Sequence, residues 1–289
     1  MLSKATLKRM CPGHFKKTAT SVFRKIRLFR HRVDMLIYPQ EMQYFCPCCG
    51  LRIRGFVKAD YLDDEHYNPE RYKHARQDVL CPSCMSLPRH RILAAWFEGR
   101  KELLKKKKIL YFAPEYSMML WMKRNGVSFT TADLYNDADL KLDIQKTGLK
   151  AESYDVIICN HVLEHVDDFR LAINEMFRII KYRGLFICSF PVDNNVDLVD
   201  EDPEVKTDEE RYQRFGQSDH RRVFGRNAGS LLKEAGFQVE RINGEGYPDK
   251  ILPVIGPADY DMNILFCCVK RDEKPGCVSK YETSTCYAG

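Results

Sequence analysis

The sequence predicts an α/β fold, a mostly parallel sheet covered by helices on both faces, preceded by a small cysteine-rich module. Two observations carry this prediction. From Lys108 onward, short apolar strand-like runs alternate with segments of helical period, which is the pattern of parallel strands joined by crossover helices. Ahead of that region stand two Cys-x-x-Cys pairs. A chain of 289 residues is long enough for one such domain and one appended module.

The first element is a basic arm, predicted over residues 1–40. Ten of the 46 basic residues precede the first acidic residue, Asp34, so the rest of the chain has 36 basic against 40 acidic residues. The arm could form a helix with one apolar face made by Val22, Ile26, Phe29 and Val33. Such a helix would suit a membrane surface or an acidic partner, and the alternative is a solvated leader helix.

The predicted location is the cytoplasm, with peripheral membrane contact through the arm as an alternative. No run in the sequence approaches the roughly 18 apolar residues of a membrane span. The first residues also lack the apolar stretch of a secretory signal.

The second element, residues 41–100, is predicted to be a zinc-ribbon-like knuckle followed by a linking helix. Two Cys-x-x-Cys turns can present four thiolates tetrahedrally to one zinc ion, and the predicted ligands are Cys46, Cys49, Cys81 and Cys84. Cys48 could compete for a place among them. A site closed by four sulfurs has no open coordination position, so its role would be structural or recognitional. Disulfides fit poorly with a chain that lacks a secretion signal.

The third element is the main domain, predicted over residues 101–272, with a flexible polar tail at 273–289. Its predicted strands are "ILYFA", "SFTTAD", "DLKLDI", "YDVIICN", "GLFICSF", "FQVERI" and "NILFCCVK", and its predicted helices are "MMLWMKRN", "FRLAINEMFRII" and "NAGSLLKEAG". Ligands of such sheets bind at the carboxyl ends of the parallel strands. The site is therefore expected near Ala113, Asp133, Asp143 and Asn160.

Several motifs of the main domain resemble class I S-adenosylmethionine (SAM)-dependent methyltransferases, which have a Rossmann-like sheet. They are "TADL", "LKLDI", "YDVIICNHVLEHVDD", "FRIIKYRGLFICSFP" and "EAGF". The glycine-rich first loop of that family is replaced here by residues 111–117. A branch of the family, often linked to surface-polysaccharide gene products, is similar in carrying "FAPE" there and a cysteine knuckle in front.

The resemblance implies a set of cofactor-binding residues. Asp133 would accept hydrogen bonds from the ribose hydroxyls, Asp143 would bind the adenine amino group, and Glu115 would receive the methionine ammonium. Pro114 would stiffen the loop in place of glycines. The remaining predicted contacts are Ala113, Leu134, Ile144 and Asn160. The alternative for each acidic residue is a helix cap or a surface turn.

An acceptor wall or lid is predicted for residues 191–227, because so long a connection inside a compact domain is usually functional. We expect His220 to act as general base oriented by Asp219, with His161 and His165 as competitors and a structural Asp–His pair as the alternative. Gln217, Arg221 and Arg222 would bind the acceptor, which would then be anionic. The rival interpretation pairs these arginines with the acidic run Asp200, Glu201, Asp202 and Glu204.

Three functions remain open from the sequence. The first is SAM-dependent O-methylation of a glycan or surface-polysaccharide intermediate. The second is an RNA methyltransferase whose zinc knuckle grips nucleic acid, although the chain outside the arm is mildly acidic. The third is a non-catalytic binding module in which the missing glycines mark a lost cofactor.

Overall fold

The structure is a computed structural model that describes residues 26, 29, 30, 32–58, 68, 78–242, 260, 261 and 263–271. Most of the predicted basic arm and the whole predicted tail lie outside these residues. Of the arm's predicted apolar face, residues 26, 29 and 33 are described and helical, and Ile26 and Phe29 are exposed. No helix in the described part of the chain is long and apolar enough to cross a membrane.

The cysteine-rich module begins with a short antiparallel hairpin. Strands β1 (Tyr44–Cys46) and β2 (Leu51–Ile53) are joined by the turn that carries the first Cys-x-x-Cys pair. Gly50 closes this turn with a φ of 70°, a conformation that glycine adopts without steric cost. The second pair is followed by helix α1 (Pro88–Glu98).

The seven strands and three helices that the sequence predicts in the main domain all form, and short further elements lie between them. In chain order they are β3 (Ile109–Phe112), α2 (Tyr116–Arg124), β4 (Thr130–Asp133), β5 (Leu140–Lys141), β6 (Tyr154–Asn160), α3 (Phe169–Ile179), β7 (Ile180–Ser189), β8 (Val192–Asp193), β9 (Asp200–Glu201), α4 (Asp208–Phe215), β10 (Arg222–Val223), α5 (Ala228–Glu234), β11 (Phe237–Ile242), β12 (Tyr260–Asp261) and β13 (Leu265–Lys270). Single turns of 3-10 helix lie at Pro39–Glu41 and Lys101–Leu103.

Seven strands form the central sheet in the order β11–β13–β7–β6–β3–β4–β5. The five strands from β7 to β5 are parallel, whereas β13 runs antiparallel to both β7 and β11. The predicted Rossmann-like α/β fold is thus confirmed, with a mixed sheet. Within this sheet, β13 lies between β7 and β11 and is the strand that runs against the others.

Two apolar clusters hold the domain together. One contains Phe112, Ile157, Phe169 and Phe186, together with residues of α3 and α5. The other contains Ile109 and Trp121 and also the four cysteines of the two pairs. The cysteine-rich module therefore shares a core with the sheet.

The predicted lid, residues 191–227, is folded back on the domain. Helix α4 starts with a capping box, in which Thr207 accepts from the Glu210 backbone and Glu210 accepts from the Thr207 backbone. Gly216 caps its C-terminus with a φ of 84°. Strands β9 and β10 pair antiparallel, so the acidic and basic ends of the segment meet.

Candidate functional site

The carboxyl ends of three neighbouring strands form one edge of the sheet. Phe112 of β3 is level with Ala132 of β4 on one side and with Cys159 of β6 on the other. The next residues along the three strands are Ala113, Asp133 and Asn160. The parallel register therefore brings together three of the four positions where the sequence predicts the ligand.

Two residues at this edge have a strained backbone. Ala113 has a φ of 44° and His161, which follows Asn160, has a φ of 51°. A non-glycine residue in the left-handed region costs on the order of 1–3 kcal/mol, and such residues cluster at ligand sites. The loop after β3 thus makes its turn with Ala113 in the left-handed region, without a glycine.

Glu115 lies at the centre of a polar network. Its Oε1 accepts from Arg89 Nη2 at 2.8 Å and contacts His90 Nε2 at 2.5 Å. Its Oε2 lies 3.3 Å from Asn160 Nδ2. Burial alone would raise the pKa of Glu115, but His90 and Arg89 hold that pKa well below its usual range. Glu115 is therefore an ionised carboxylate with Oε1 bound to protein donors.

The proton position on His90 follows from its partners. The Leu87 backbone N–H donates to His90 Nδ1 at 2.9 Å, so the neutral ring carries its proton on Nε2 and donates it to Glu115. Burial lowers the pKa of His90, which favours this neutral form. Since α1 begins four residues after Cys84, the cysteine-rich module positions two partners of Glu115. The sequence analysis did not connect Arg89 or His90 with this site.

The two acidic residues of the predicted cofactor set are held by their own turns. Asp133 Oδ1 accepts from the backbone N–H groups of Tyr135 at 2.7 Å and Asn136 at 2.6 Å. Asp143, two residues beyond β5, accepts from the backbone N–H of Gln145 at 2.8 Å. Such bonds fix a short carboxylate in one orientation.

The other predicted cofactor residues differ in exposure. Ile144 and Asn160 are buried, Ala113 and Pro114 are half-buried, and Leu134 is exposed. Their contacts with a cofactor stay predictions.

The structure does not form the predicted Asp219–His220 pair. His220 is 1% exposed, and burial lowers its pKa to about 3. Asp219 faces solvent, and its Oδ2 lies 3.5 Å from His165 Nδ1. The adjacent positions diverge because one residue enters the core while the other stays on the surface. Gln217, also predicted to meet the acceptor, is buried.

Arg222 is bonded internally. Its side chain is 3% exposed, and Nε pairs with Glu201 at 3.1 Å. Its remaining donors bind the backbone carbonyls of Leu163, Val166 and Asp167. Arg221 pairs with the Asp167 carboxylate at 2.8 Å and donates to the His165 carbonyl. For Arg222 these contacts are those of the internal-pairing alternative, and a contact of either arginine with the acceptor stays a prediction.

A group of histidines surrounds a buried carboxylate just beyond the end of β6. Glu164 is fully buried, and His161 Nδ1 lies 3.0 Å from its Oε1. The approach is not that of a well-formed hydrogen bond, so neither carboxylate oxygen has a hydrogen-bond partner among the described residues. His165 Nε2 lies 3.9 Å from the same oxygen, and the rings of His165 and His220 pack edge to face at 4.8 Å. We call these four residues the His–Glu cluster.

The four predicted metal ligands form a second, separate cluster. Cys46, Cys49, Cys81 and Cys84 are buried, and their sulfur atoms all lie within 4.8 Å of one another. Cys46 Sγ is 3.6 Å from Cys84 Sγ, and Cys49 Sγ is 3.9 Å from Cys81 Sγ. The edge of a sulfur tetrahedron around zinc is about 3.8 Å for Zn–S bonds of about 2.3 Å. This donor set therefore fits a tetrahedral metal ion.

Comparison with known families identifies the domain. The family model described as a methyltransferase domain matches residues 91–242, which is 152 of the 289 residues. The chain belongs to this family. It is a SAM-dependent methyltransferase, as the sequence motifs predict. No protein with a curated description matches the sequence significantly.

Solved structures of similar fold are distant in sequence. A SAM-dependent methyltransferase from Archaeoglobus fulgidus aligns with a TM-score of 0.42 and 12% identity, over 63% of this chain and 94% of that one. A proposed sarcosine dimethylglycine methyltransferase from Galdieria sulphuraria gives 0.39 and 17%, over 53% of this chain and 63% of that one. The 1,6-didemethyltoxoflavin-N1-methyltransferase of Burkholderia thailandensis gives 0.42 and 13%, over 64% and 79%. These similarities do not indicate which acceptor the protein methylates.

The methyltransferase has one prominent site residue that the sequence analysis missed. Glu164 was seen only as part of the motif "VLEHV", and His161 and His165 only as competitors for the base. The signal was the spacing of His161 and Glu164, since residues three apart in a turn lie close together.

Proposed function

We propose that the methyltransferase transfers the methyl group of SAM to a hydroxyl oxygen of a glycan or surface-polysaccharide intermediate. The observation that supports oxygen as the methylated atom is the His–Glu cluster, which begins at the residue directly after Asn160. A hydroxyl must lose its proton as the oxygen–carbon bond forms and the carbon–sulfur bond breaks, so a base beside the methyl group is needed. The glycan is supported by the resemblance of "FAPE" and the two cysteine pairs.

His161 is the proposed base in place of His220. A ring whose pKa is about 3 stays neutral but is a weak base near pH 7. His161 is 13% exposed, its Nδ1 lies beside Glu164, and its Nε2 has no hydrogen-bond partner among the described residues. A carboxylate on one ring nitrogen stabilises the imidazolium that forms when the other nitrogen takes a proton.

The acceptor is proposed to be uncharged where it contacts residues 191–227. Arg221 and Arg222 were the reason to expect an anion, and both bind protein oxygens. The acceptor hydroxyl and its alignment with the methyl group are then the main requirements of the reaction.

The test is a methylation assay with SAM and three acceptor samples: surface glycan, total RNA and buffer. We expect S-adenosylhomocysteine release and an O-linked methyl group only with glycan. Methylated RNA without methylated glycan would overturn the acceptor, and a nitrogen-linked product would overturn the role of the cluster.

Two variants assign the residues. His161→Asn, in which Asn tolerates the left-handed backbone, should lower kcat by about 10²- to 10⁴-fold and leave the affinity for S-adenosylhomocysteine unchanged. Asp133→Ala should instead weaken that affinity, because it removes the carboxylate proposed to bind the ribose. An unchanged affinity in Asp133→Ala would contradict the assigned cofactor position.

We also propose that Cys46, Cys49, Cys81 and Cys84 hold one structural zinc ion. The support is the agreement between the sulfur separations and a tetrahedral site. Purified protein should contain about one zinc per chain, and the Cys81→Ser, Cys84→Ser double variant should lose it. Cys48→Ser is the matched control, a buried cysteine beside the four that should retain the metal. Full zinc content in the double variant would refute the site.

The basic arm, residues 1–40, is proposed to contact an acidic surface such as an anionic membrane. Exposed Ile26 and Phe29, among basic residues, support this. The full chain should bind phosphatidylserine-containing vesicles, and a chain lacking residues 1–30 should not. Equal binding by both chains would contradict the proposal.

A further inference from the structure

The His–Glu cluster contains buried polar atoms that have no hydrogen-bond partner among the described residues. Glu164 is fully buried, and both of its oxygens lack hydrogen-bond partners among the described residues. His220 is almost fully buried, and its Nδ1 also lacks a partner there. Buried polar atoms without partners are rare, and an ion or ordered water is one usual reason for them. An ionised carboxylate in particular is costly to bury without compensation.

Three side chains of the cluster converge. Glu164, His165 and His220 can each offer one ligand atom, and these atoms lie within 4.8 Å of one another. The backbone holds them in place, because the Arg221 N–H donates to the Glu164 carbonyl at 2.9 Å. The His165 ring is fixed by its Nδ1 contact with the Asp219 carbonyl at 3.1 Å, which leaves Nε2 toward Glu164.

We propose that Glu164, His165 and His220 bind one divalent cation of the first transition series. Two imidazoles and one carboxylate form a borderline ligand set that suits Mn²⁺, Fe²⁺, Co²⁺ or Zn²⁺ better than Mg²⁺, which prefers oxygen ligands. Three protein ligands leave coordination positions open. The site is distinct from the cysteine cluster, whose four sulfurs would enclose their ion completely.

The cation would have a role in the reaction, and this part rests on the proposed O-methylation. A divalent cation lowers the pKa of an oxygen bound to it and orients that oxygen. The acceptor hydroxyl would occupy an open position, pass its proton to His161, and attack the methyl carbon as the carbon–sulfur bond breaks. Glu164 would contact both neighbours, because its Oε1 lies near His161 Nδ1 and also near His165 Nε2.

The test is a titration with Mn²⁺ of full-length protein that holds one zinc ion per chain and no more, followed by the loss of the electron paramagnetic resonance signal of free Mn²⁺. Mn²⁺ is chosen because it competes poorly for thiolate sites. We expect about one Mn²⁺ per chain. Glu164→Gln and His165→Ala should each weaken its affinity at least about tenfold, the size of effect seen even for residues that only support a metal ligand.

The control is Glu175→Gln, a glutamate of α3 that binds Arg178 and Thr147 outside the cluster. It should leave Mn²⁺ affinity unchanged. The proposal is overturned if wild-type protein binds no Mn²⁺ at millimolar concentration, or if Glu164→Gln and His165→Ala bind it as wild type does. Should Glu164→Gln fail to fold, His165→Ala decides, since that side chain is one-third exposed.

Failure of this proposal is separable from failure of the proposed function. The titration contains neither SAM nor acceptor, so Mn²⁺ binding can be measured whatever the acceptor is. O-methylation that persists at full rate after metal removal would leave the function standing and exclude the cation from it.

Discussion

Replacing Arg222 by Ala should destabilise the methyltransferase strongly, because this side chain holds the lid to the turn after β6. The guanidinium pairs with Glu201 at 3.1 Å and donates to the carbonyls of Leu163 at 2.9 Å and Asp167 at 2.8 Å. It also donates to the Val166 carbonyl at 2.5 Å. All four partners lose a charged donor at once.

The magnitude follows from burial. Removing one member of a buried charged network costs about 3–5 kcal/mol. Glu201 is one-third exposed and can regain water, so the lower end, about 3 kcal/mol, applies. A domain of this size loses about 2–4 °C in Tm per kcal/mol, which predicts a drop of about 6–12 °C.

The assay is thermal unfolding followed by circular dichroism, with urea unfolding for the free energy. Arg221→Ala is the matched control: its side chain is 41% exposed and pairs with an exposed carboxylate, so it should cost less than about 1 kcal/mol. Arg222→Lys should recover only part of the loss, because an ammonium cannot reproduce the planar fork. Equal Tm values for Arg222→Ala and wild type would refute the reasoning.

Two further predictions concern the first turn of the cysteine-rich module and Glu115. Gly50→Ala places a Cβ 1.9 Å from the Arg124 guanidinium, at a position whose φ is 70°. The variant should lose about 2 kcal/mol of unfolding free energy. The causes are the strained backbone and the loss of the Arg124 hydrogen bonds to the Pro47 and Cys48 carbonyls. Gly126→Ala is the control for backbone strain alone, since Gly126 has a φ of 67° and open space around it; it should cost about 1 kcal/mol. Equal losses of Tm in the two variants would show that the Arg124 contact adds nothing to the cost at Gly50. Because the folded-state pKa of Glu115 is lowered, its contribution to stability is fully present above the unfolded pKa of about 4.3 and is lost as pH falls further. Glu115→Gln should therefore unfold more easily than wild type at pH 7 and show a shallower acid transition by chemical denaturation; parallel pH curves would contradict this.

The sequence determined the fold and the edge of the sheet at which the site lies. Strand and helix periods depend on residues only a few positions apart, and parallel strands must end at a common edge. Ala113, Asp133 and Asn160 could therefore be placed together from their positions at strand ends. The clustering of the two Cys-x-x-Cys pairs could also be predicted, because a local turn brings the two sulfurs of each pair close together.

Only the tertiary structure decided which side chains meet. Arg222 pairs with Glu201, Glu115 with Arg89 and His90, and Asp219 with His165. Each pair joins residues more than 20 positions apart, and no local pattern selects among the several acids and bases within reach. The choice depends on burial: a charge taken into the core must find its partner there, while its neighbour in sequence stays in water.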